Sequence, residues 1–373
     1  MKSIVRLGMC ALLFLSFVPQ GFGLDLDQLV IGGTVDDLAQ YVHAVGIQAA
    51  KDSAGEPVLA VAARYGKIDM VKYLLENGAD PKVTYGGGQT ALITSCGPNA
   101  NYELVELLID AGSNVNAVTT YGDTPLSMLL AYLGNDRKAI VPIVALLLDA
   151  GADVNGVTAT AFGSYRGYKY FQYAILSNNP ELLKLLVDHS IDISASDKDG
   201  NTAIILAAKQ ANLNPDIVNI LISLKVDLNR RNTKGNTAII EIINSLRTTN
   251  NEDTRANGMK IMSNLISNGA DPNLGGPILF AAFTDQSDLV ELLAKSGANI
   301  DVQDANGNTA LMYAAYNLRN NALESLIMLK ANVNMRNKAG KTALGLLRER
   351  NLSSASGGLD RTLELLANAG ARE

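Results

Sequence analysis

The side chains best suited to catalysis or metal binding are few in this chain. It contains two histidines, His43 and His189, and two cysteines, Cys10 and Cys96. A zinc site needs several converging nitrogen, sulfur or carboxylate ligands, and these residues lie far apart in the sequence. No Gly-x-Ser-x-Gly, His-Glu-x-x-His or P-loop motif is present. We therefore predict no catalytic residue, no metal site and no cofactor, and we expect the protein not to be an enzyme.

Three other features resemble chemical motifs but have structural explanations. The glycine run 86–88 lies in a turn, whereas a phosphate-binding loop follows a strand. The acidic pair Asp36-Asp37 suits the first turn of a helix, and the pair Glu252-Asp253 suits a loop. Cys96 ends an apolar run, so we interpret it as a small buried hydrophobic residue; a reactive or intermolecular thiol is the alternative.

A repeated block of sequence indicates how the chain is built. The pattern Lys/Asn/Asp-x-x-Gly-Asn/Lys-Thr-Ala-Ile/Leu occurs four times, and weaker copies begin at Tyr85 and Thr119. Most copies are 32 to 35 residues apart, and a second, leucine-rich motif recurs about twenty residues after the block, ending in five places at Gly78, Gly112, Gly151, Gly269 or Gly297. Such self-similarity predicts a solenoid, in which each repeat packs only on its neighbours. The four complete copies span residues 197–204, 232–239, 304–311 and 337–344.

Each repeat can be divided into a turn and two helices. The threonine hydroxyl of the block can cap a first, inner helix, and the alanines that follow allow neighbouring helices to approach closely. A second, outer helix has leucine on one face and ends at a glycine in the left-handed conformation. Polar residues then form a turn, called here a finger, that leads to the next inner helix.

These linked motifs resemble the ankyrin repeat, which has a Thr-Pro-Leu-His-x-Ala turn, two antiparallel helices and a hairpin finger. The resemblance predicts an all-α ankyrin-repeat solenoid of about nine repeats over residues 56–373. Residues 24–55 have an outer-helix pattern and are expected to form a partial repeat that caps the array. Six repeats are marked by the capping threonine, and three degenerate ones by Pro57, Lys169 and Pro277.

No repeat has the histidine that bridges neighbouring repeats in the family. Its place holds Met312 after Thr309, for example, and Phe280 when the count starts from Pro277. We therefore expect apolar contacts to replace most of that polar bridge, and the coupling between repeats to be weaker than in regular arrays.

Residues 1–23 have the features of a secretory signal peptide. Two basic residues precede a continuous apolar run from Met9 to Val18, and small residues precede a cleavage site after about Gly23. We therefore expect a periplasmic or secreted protein without a membrane span after cleavage; an uncleaved anchor is the alternative. Removal of the segment lowers the 31 basic residues to 29 beside 37 acidic ones, a net charge of −8. Such a chain is not expected to bind nucleic acid, and we expect a monomer.

One finger is longer than the others and rich in aromatic residues. Between Asn155 and Lys169 it spans 14 residues, where most other fingers have 8. Tyrosine and arginine are typical of recognition surfaces, so we predict that residues 156–171 form the main contact with a partner protein. The alternative is that these aromatic side chains fill a seam between mismatched repeats. The predicted contact residues are Phe162, Tyr165, Arg166, Tyr168 and Lys169.

Other fingers carry residues that we expect to face solvent and to contribute to binding. Tyr85 and Tyr121 are the aromatic ones, and Arg230, Arg231 and Lys234 form a basic cluster. The cluster suits an acidic partner, although a solvated edge is the alternative.

Further irregularities interrupt the repeat. Pro277 follows Asn273 by only four residues, which predicts a short finger and a notch in that edge. Three extra stretches fall between the two helices of a repeat, and we interpret them as loops tolerated at the surface. They are residues 133–139, 247–258 and 351–358.

The resemblance implies a non-catalytic scaffold that binds a partner protein through its fingers and inner helices. Some exported bacterial ankyrin proteins look like immunity proteins that neutralise a toxic effector. Others are similar to accessory proteins of a periplasmic enzyme such as catalase. A secreted factor that engages a host protein is a further alternative.

Overall fold

The computed structural model describes residues 25–98, 100–131, 140–156, 169–249, 251–350 and 358–373. The chain divides into two compact units. The first comprises the residues up to Tyr173 together with Leu185–Ile191, and the second comprises Ala174–Lys184 and Asp192–Glu373. In the described residues every regular element is a helix, which confirms the all-α prediction. The predicted signal peptide, residues 1–23, lies outside the described residues.

The first unit is built from helix pairs. Inner helices α1, α3, α5 and α7 pack in series, and outer helices α2, α4, α6 and α8 do the same. The N-terminal segment therefore contributes a full pair, although its seven-residue inner helix is too short to show a clear period in the sequence. The helices are α1 (Leu26–Gly32), α2 (Val35–Val45), α3 (Val58–Arg64), α4 (Ile68–Glu76), α5 (Ala91–Ser95), α6 (Tyr102–Asp110), α7 (Pro125–Ala131) and α8 (Val141–Asp149).

The second unit repeats this arrangement. Helices α9 (Tyr170–Leu176) and α10 (Pro180–Asp188) contain residues of both units. From α11 onward, inner helices again pack on inner helices and outer helices on outer ones. These helices are α11 (Ala203–Ala208), α12 (Pro215–Ser223), α13 (Ala238–Leu246), α14 (Glu252–Ser267), α15 (Pro277–Phe283), α16 (Ser287–Lys295), α17 (Ala310–Tyr316), α18 (Asn320–Met328), α19 (Ala343–Glu349) and α20 (Leu359–Asn368).

The chemistry of the repeated block explains where the inner helices start. The Thr309 hydroxyl accepts a hydrogen bond from the Met312 amide at 3.2 Å, which satisfies one of the free N–H groups at the start of α17. Gly307 has φ 79°, and a Cβ there would lie 2.7 Å from the Lys338 amide nitrogen of the next finger. At Gly307, and at Gly200 where a Cβ would lie 3.1 Å from the Thr233 amide nitrogen, glycine therefore allows neighbouring fingers to pack side by side.

Helix α15 starts one residue earlier in the repeat than the sequence predicts. Pro277 occupies the first helical position, where its missing N–H costs nothing, and Gly276 is the N-cap with φ 69°. The prediction that Pro277 marks this repeat is therefore wrong, because Gly276 is the equivalent of Thr309. As a result Leu279 takes the place of the family's histidine, and Phe280 is 37 % exposed.

Neighbouring repeats are joined by side-chain amide bridges. Asn229 Nδ2 donates to the Gly269 carbonyl at 3.0 Å, and its Oδ1 accepts from the Asp271 amide at 2.8 Å. Asn116 and Asn334 make the same pair of bonds to the following repeat. The expectation that apolar contacts replace the missing histidine bridge is therefore wrong in part, because finger asparagines supply a polar link.

One predicted surface loop is a helix. Residues 252–258 form the first two turns of α14, and Asn251 Oδ1 caps it by accepting from the Thr254 amide at 2.9 Å. The loop prediction for 247–258 is wrong there, because the cap and two acidic residues stabilise a helix start. The other two extra stretches, 133–139 and 351–358, lie outside the described residues except for Gly358.

Candidate binding groove

Most of the predicted contact finger lies outside the described residues. Lys169 is described and is half-buried, with its Nζ 3.4 Å from the Asn155 carbonyl. Tyr170 and Phe171, which follow it, are 1 % and 0 % exposed. These two aromatic side chains therefore pack inside the fold and are not available to a partner. The predicted contact residues that lie outside the described residues are Phe162, Tyr165, Arg166 and Tyr168.

Tyr85 faces solvent only in part, because its side chain is half-buried. Its hydroxyl forms a 2.5 Å hydrogen bond with Thr94 Oγ1 on α5, and burial raises the pKa of Tyr85 well above its usual range. Beneath it, Glu56 is 5 % exposed and lies 2.8 Å from the Arg64 guanidinium. Burial also raises the pKa of Glu56, and the Tyr85 hydrogen bond and the Arg64 charge only partly offset this. The prediction that Tyr85 faces solvent is thus wrong in part, because its hydroxyl belongs to a polar cluster with Thr94 and Glu56.

The other predicted finger residues do face solvent. Tyr121 is 74 % exposed. Arg230, Arg231 and Lys234 are all exposed on the finger between α12 and α13. Their part in binding stays a prediction.

A groove lined by aromatic side chains lies on the inner helices of the second unit. Phe280 and Phe283 of α15 are each followed 33 residues later by Tyr313 and Tyr316 of α17. These four residues therefore occupy the same two positions in consecutive repeats. Phe280, Phe283 and Tyr316 are 37 %, 43 % and 41 % exposed, and Tyr313 is half-buried. A cluster of partly exposed aromatic side chains is typical of an interaction surface.

The groove consists of two depressions that share a wall. The Phe283 and Tyr313 rings line both of them and meet edge to face, with 6.2 Å between their centroids. The first depression, about 440 Å³ in volume, extends to Tyr316 and to the fingers at Asn308 and Asn337. The second, about 340 Å³, is lined by Gly275, Leu279, Phe280, Phe283, Asp304 and Tyr313.

The predicted notch contributes to the opening of the second depression. Gly275 and Gly276, with φ 82° and 69°, turn the chain from the short finger directly into α15. Gly275 lines the depression, and a Cβ at this residue would lie 2.8 Å from Ile240 Cδ1. The short finger thus leaves Phe280 uncovered at the edge of the groove.

Charged groups lie at both ends of the groove. Tyr313 donates its hydroxyl proton to Asp304 Oδ2 at 2.6 Å. Although burial opposes ionisation, hydrogen bonds from the Tyr313 hydroxyl and from the Asn308 and Asn306 amides lower the pKa of Asp304. At the other end, the Arg350 guanidinium lies over the Tyr316 ring, 5.0 Å from its centroid. The groove therefore combines aromatic surface with fixed charge.

Sequence reasoning missed this groove, although a signal was present. The inner helices read Ile-Leu-Phe-Ala-Ala-Phe at 278–283 and Leu-Met-Tyr-Ala-Ala-Tyr at 311–316, with aromatic residues in phase. Counting from Pro277 aligned Phe280 with Met312 and so hid the match with Tyr313.

The comparison with protein-family models decides the family. Ankyrin repeats match in three copies, at residues 59–158, 141–232 and 254–345, which together exceed half of the chain. The chain belongs to the ankyrin-repeat family. Ankyrin repeats are generally protein–protein interaction modules and typically lack catalytic activity. Helices α15 and α17 of the groove lie within the third match. A search of curated proteins gave no match.

Other chemical features of this ankyrin-repeat protein point to structural roles. Cys96 is fully buried, which confirms its interpretation as a small hydrophobic residue, and burial raises the pKa of Cys96 to about 12. Among the described residues, no group of three His, Cys, Asp or Glu side chains could hold a metal ion. None of the helices described is both long and apolar enough to cross a membrane.

Proposed function

We propose that this ankyrin-repeat protein is a non-catalytic scaffold that binds a partner protein along the aromatic groove of its second unit. The observation that carries the proposal is the exposure of aromatic side chains at the same two positions of consecutive inner helices. Aromatic side chains dominate the binding energy at protein interfaces. The inner-helix surface is also where neighbouring repeats present a continuous row of side chains.

The exposed area is large enough to drive association. Phe280, Phe283 and Tyr316 are each about two-fifths exposed. A fully covered aromatic side chain buries about 150–250 Å², so covering the exposed part removes about 60–100 Å² from water. At about 25 cal/mol per Å², each ring contributes about 1.5–2.5 kcal/mol before the entropy cost of association.

The finger predictions remain part of the proposal as additional contacts. Residues 156–169 and Tyr121 precede α9 and α7 in the sequence, and the basic cluster Arg230, Arg231 and Lys234 lies before α13. If the partner extends beyond the groove, its acidic groups could contact this basic cluster.

We also propose that the protein is exported, as the signal-like features of residues 1–23 suggest. In the periplasm two narrower roles fit a non-catalytic scaffold: neutralising a toxic effector as an immunity protein, or assisting an enzyme such as catalase. Rescue of cells from one effector would favour the first role, and altered sensitivity to peroxide would favour the second. Secretion into the medium would favour a host-directed factor.

The test is affinity capture with matched variants. The Phe280→Ala/Phe283→Ala double variant removes two rings of the groove, and Tyr102→Ala removes a ring that is 44 % exposed on outer helix α6. We expect the partner to co-purify with wild type and with Tyr102→Ala, but not with the double variant. A partner kept by the double variant and lost with Tyr121→Ala would place the contact on the finger instead.

A further inference from the structure

The second depression of the groove, called here the Asp304 pocket, has the composition of a site for a cation. Three aromatic side chains, Phe280, Phe283 and Tyr313, line it together with the Asp304 carboxylate. The face of an aromatic ring carries partial negative charge and attracts an ammonium or guanidinium group. A carboxylate beside the rings adds a full negative charge and hydrogen-bond acceptors.

The Asp304 carboxylate is held in place and is not neutralised by a cation of the described chain. Its Oδ1 accepts from the Asn306 and Asn308 amides, both at 2.8 Å, and its Oδ2 accepts from the Tyr313 hydroxyl. These three bonds keep the carboxylate ionised. Among the described residues no basic side chain lies within ion-pair distance of it. Its charge is therefore available to a ligand that enters the pocket.

Two basic side chains beside the groove have partners of their own. Arg319 Nε donates to the Phe283 carbonyl at 3.1 Å, at the C-terminal end of α15. Arg350 covers the Tyr316 ring and also donates to the Tyr316 carbonyl. The contact between Arg350 and Tyr316 shows that a guanidinium group stacks on an aromatic ring of this groove, beside the Asp304 pocket.

We propose that the Asp304 pocket binds an arginine or lysine side chain of the partner protein. This inference rests on the proposed function and adds the chemistry of the contact. The aromatic rings surround the apolar stem and the cation of that side chain, and Asp304 accepts a hydrogen bond from its terminal N–H groups. The pocket volume of about 340 Å³ accommodates one such side chain but not a folded element. The acidic net charge of the chain, −6, favours the approach of a basic segment.

The test uses a random dodecapeptide library displayed on phage and selected on the immobilised full-length protein. We expect the enriched peptides to share an arginine or lysine among apolar residues. One enriched peptide is then synthesised with a fluorescent label, together with a form in which norleucine replaces the basic residue. The affinity of both is measured by fluorescence polarisation at low and high salt.

The charge of the pocket is tested by Asp304→Asn. Asn337, at the equivalent position of the next finger, accepts the same two backbone bonds through its Oδ1, so the asparagine variant is compatible with the fold. The control is Asp197→Asn, which makes the same exchange in a finger away from the groove. We expect Asp304→Asn to lower the affinity for the basic peptide at least about fivefold and Asp197→Asn to leave that affinity unchanged. Salt should weaken binding to the wild type more than to Asp304→Asn.

The rings are tested by Phe283→Leu, with Tyr102→Leu as the control at an exposed aromatic residue. We expect Phe283→Leu to weaken the peptide about three- to tenfold and Tyr102→Leu to leave it unchanged. Peptides that depend on Phe283 but bind equally well with norleucine, or to Asp304→Asn, would overturn the inference and leave the groove as a binding surface. If no selected peptide lost affinity on Phe283→Leu, the result would count against both the inference and the proposed function.

Discussion

Replacing Asn229 by alanine tests whether amide bridges couple the repeats. The substitution removes two hydrogen bonds, the 3.0 Å bond to the Gly269 carbonyl and the 2.8 Å bond from the Asp271 amide. A hydrogen bond contributes about 0.5–1.5 kcal/mol net, so the two together contribute about 1–3 kcal/mol. Both bonds lie near the surface, where water can replace the lost partner, and we expect about 1–2 kcal/mol.

The assay is urea unfolding followed by far-UV circular dichroism. With a slope of about 2–3 kcal/mol per M, the expected loss lowers the midpoint by about 0.3–1 M. In a solenoid a weakened junction also lets the repeats on either side of it unfold separately, so the transition should broaden. The residues after α12 would then unfold over a different range of urea from those before it.

The control is Lys260→Ala, on the exposed face of α14. Among the described residues this side chain makes no hydrogen bond or ion pair, and alanine favours the helix. We expect a change of less than about 0.5 kcal/mol. If Asn229→Ala shifted the midpoint no more than Lys260→Ala, the bridges would not couple the repeats, and the missing family histidine would have no polar replacement.

Three further predictions concern the stability of the fold. Hydrogen bonds to the Leu185 carbonyl and to Asp149 raise the pKa of His189 above its usual 6.5. The protonated ring therefore stabilises the fold fully below pH 6.5, and this stabilisation is lost as the pH rises through the pKa of the folded state. The urea midpoint should therefore fall between pH 5.5 and pH 8 by more in wild type than in His189→Gln, and equal slopes would contradict this. Gly307→Ala should cost about 1–3 kcal/mol in urea unfolding, since its φ is 79° and the new Cβ meets backbone; an unchanged midpoint would show that the fingers can separate. Arg64→Ala leaves Glu56 buried without its 2.8 Å ion pair and should lower thermal stability at pH 7 by about 1–3 kcal/mol, an effect that should shrink in acid as Glu56 is protonated.

The fold could be predicted because its determinants are local. The helix-capping threonine, as at Thr309, and the turn glycine, as at Gly307, belong to one short block of sequence. This block recurs at a nearly constant spacing along the chain. The burial of Cys96 followed from its place at the end of an apolar inner helix. The helix at 252–258 was missed because its polar residues lack an apolar period, whereas the Asn251 cap is sufficient to start it.

The site could be predicted less well because it depends on contacts between repeats. Tyr85 has the residue type of an exposed finger, but its hydroxyl contacts Glu56 of the preceding repeat as well as Thr94. The groove forms because Phe280 occupies the same position in its repeat as Tyr313 does in the next. Taking Pro277 as the start of the repeat shifted the alignment by one residue and hid this equivalence. The sequence prediction chose the aromatic finger from its composition. Which aromatic side chains of the inner helices are exposed depends on the packing of neighbouring helices, which composition does not show.

Site-specific photo-crosslinking measures the central claim most directly. A benzoylphenylalanine in place of Phe283, which is 43 % exposed in the groove, would be compared with the same probe at Tyr102 and at Tyr121. Illumination in cells that produce the partner should yield one crosslinked partner protein from residue 283 and none from residue 102. A partner that crosslinks from residue 121 but not from residue 283 would contradict the account, because it would place the binding surface on a finger of the first unit.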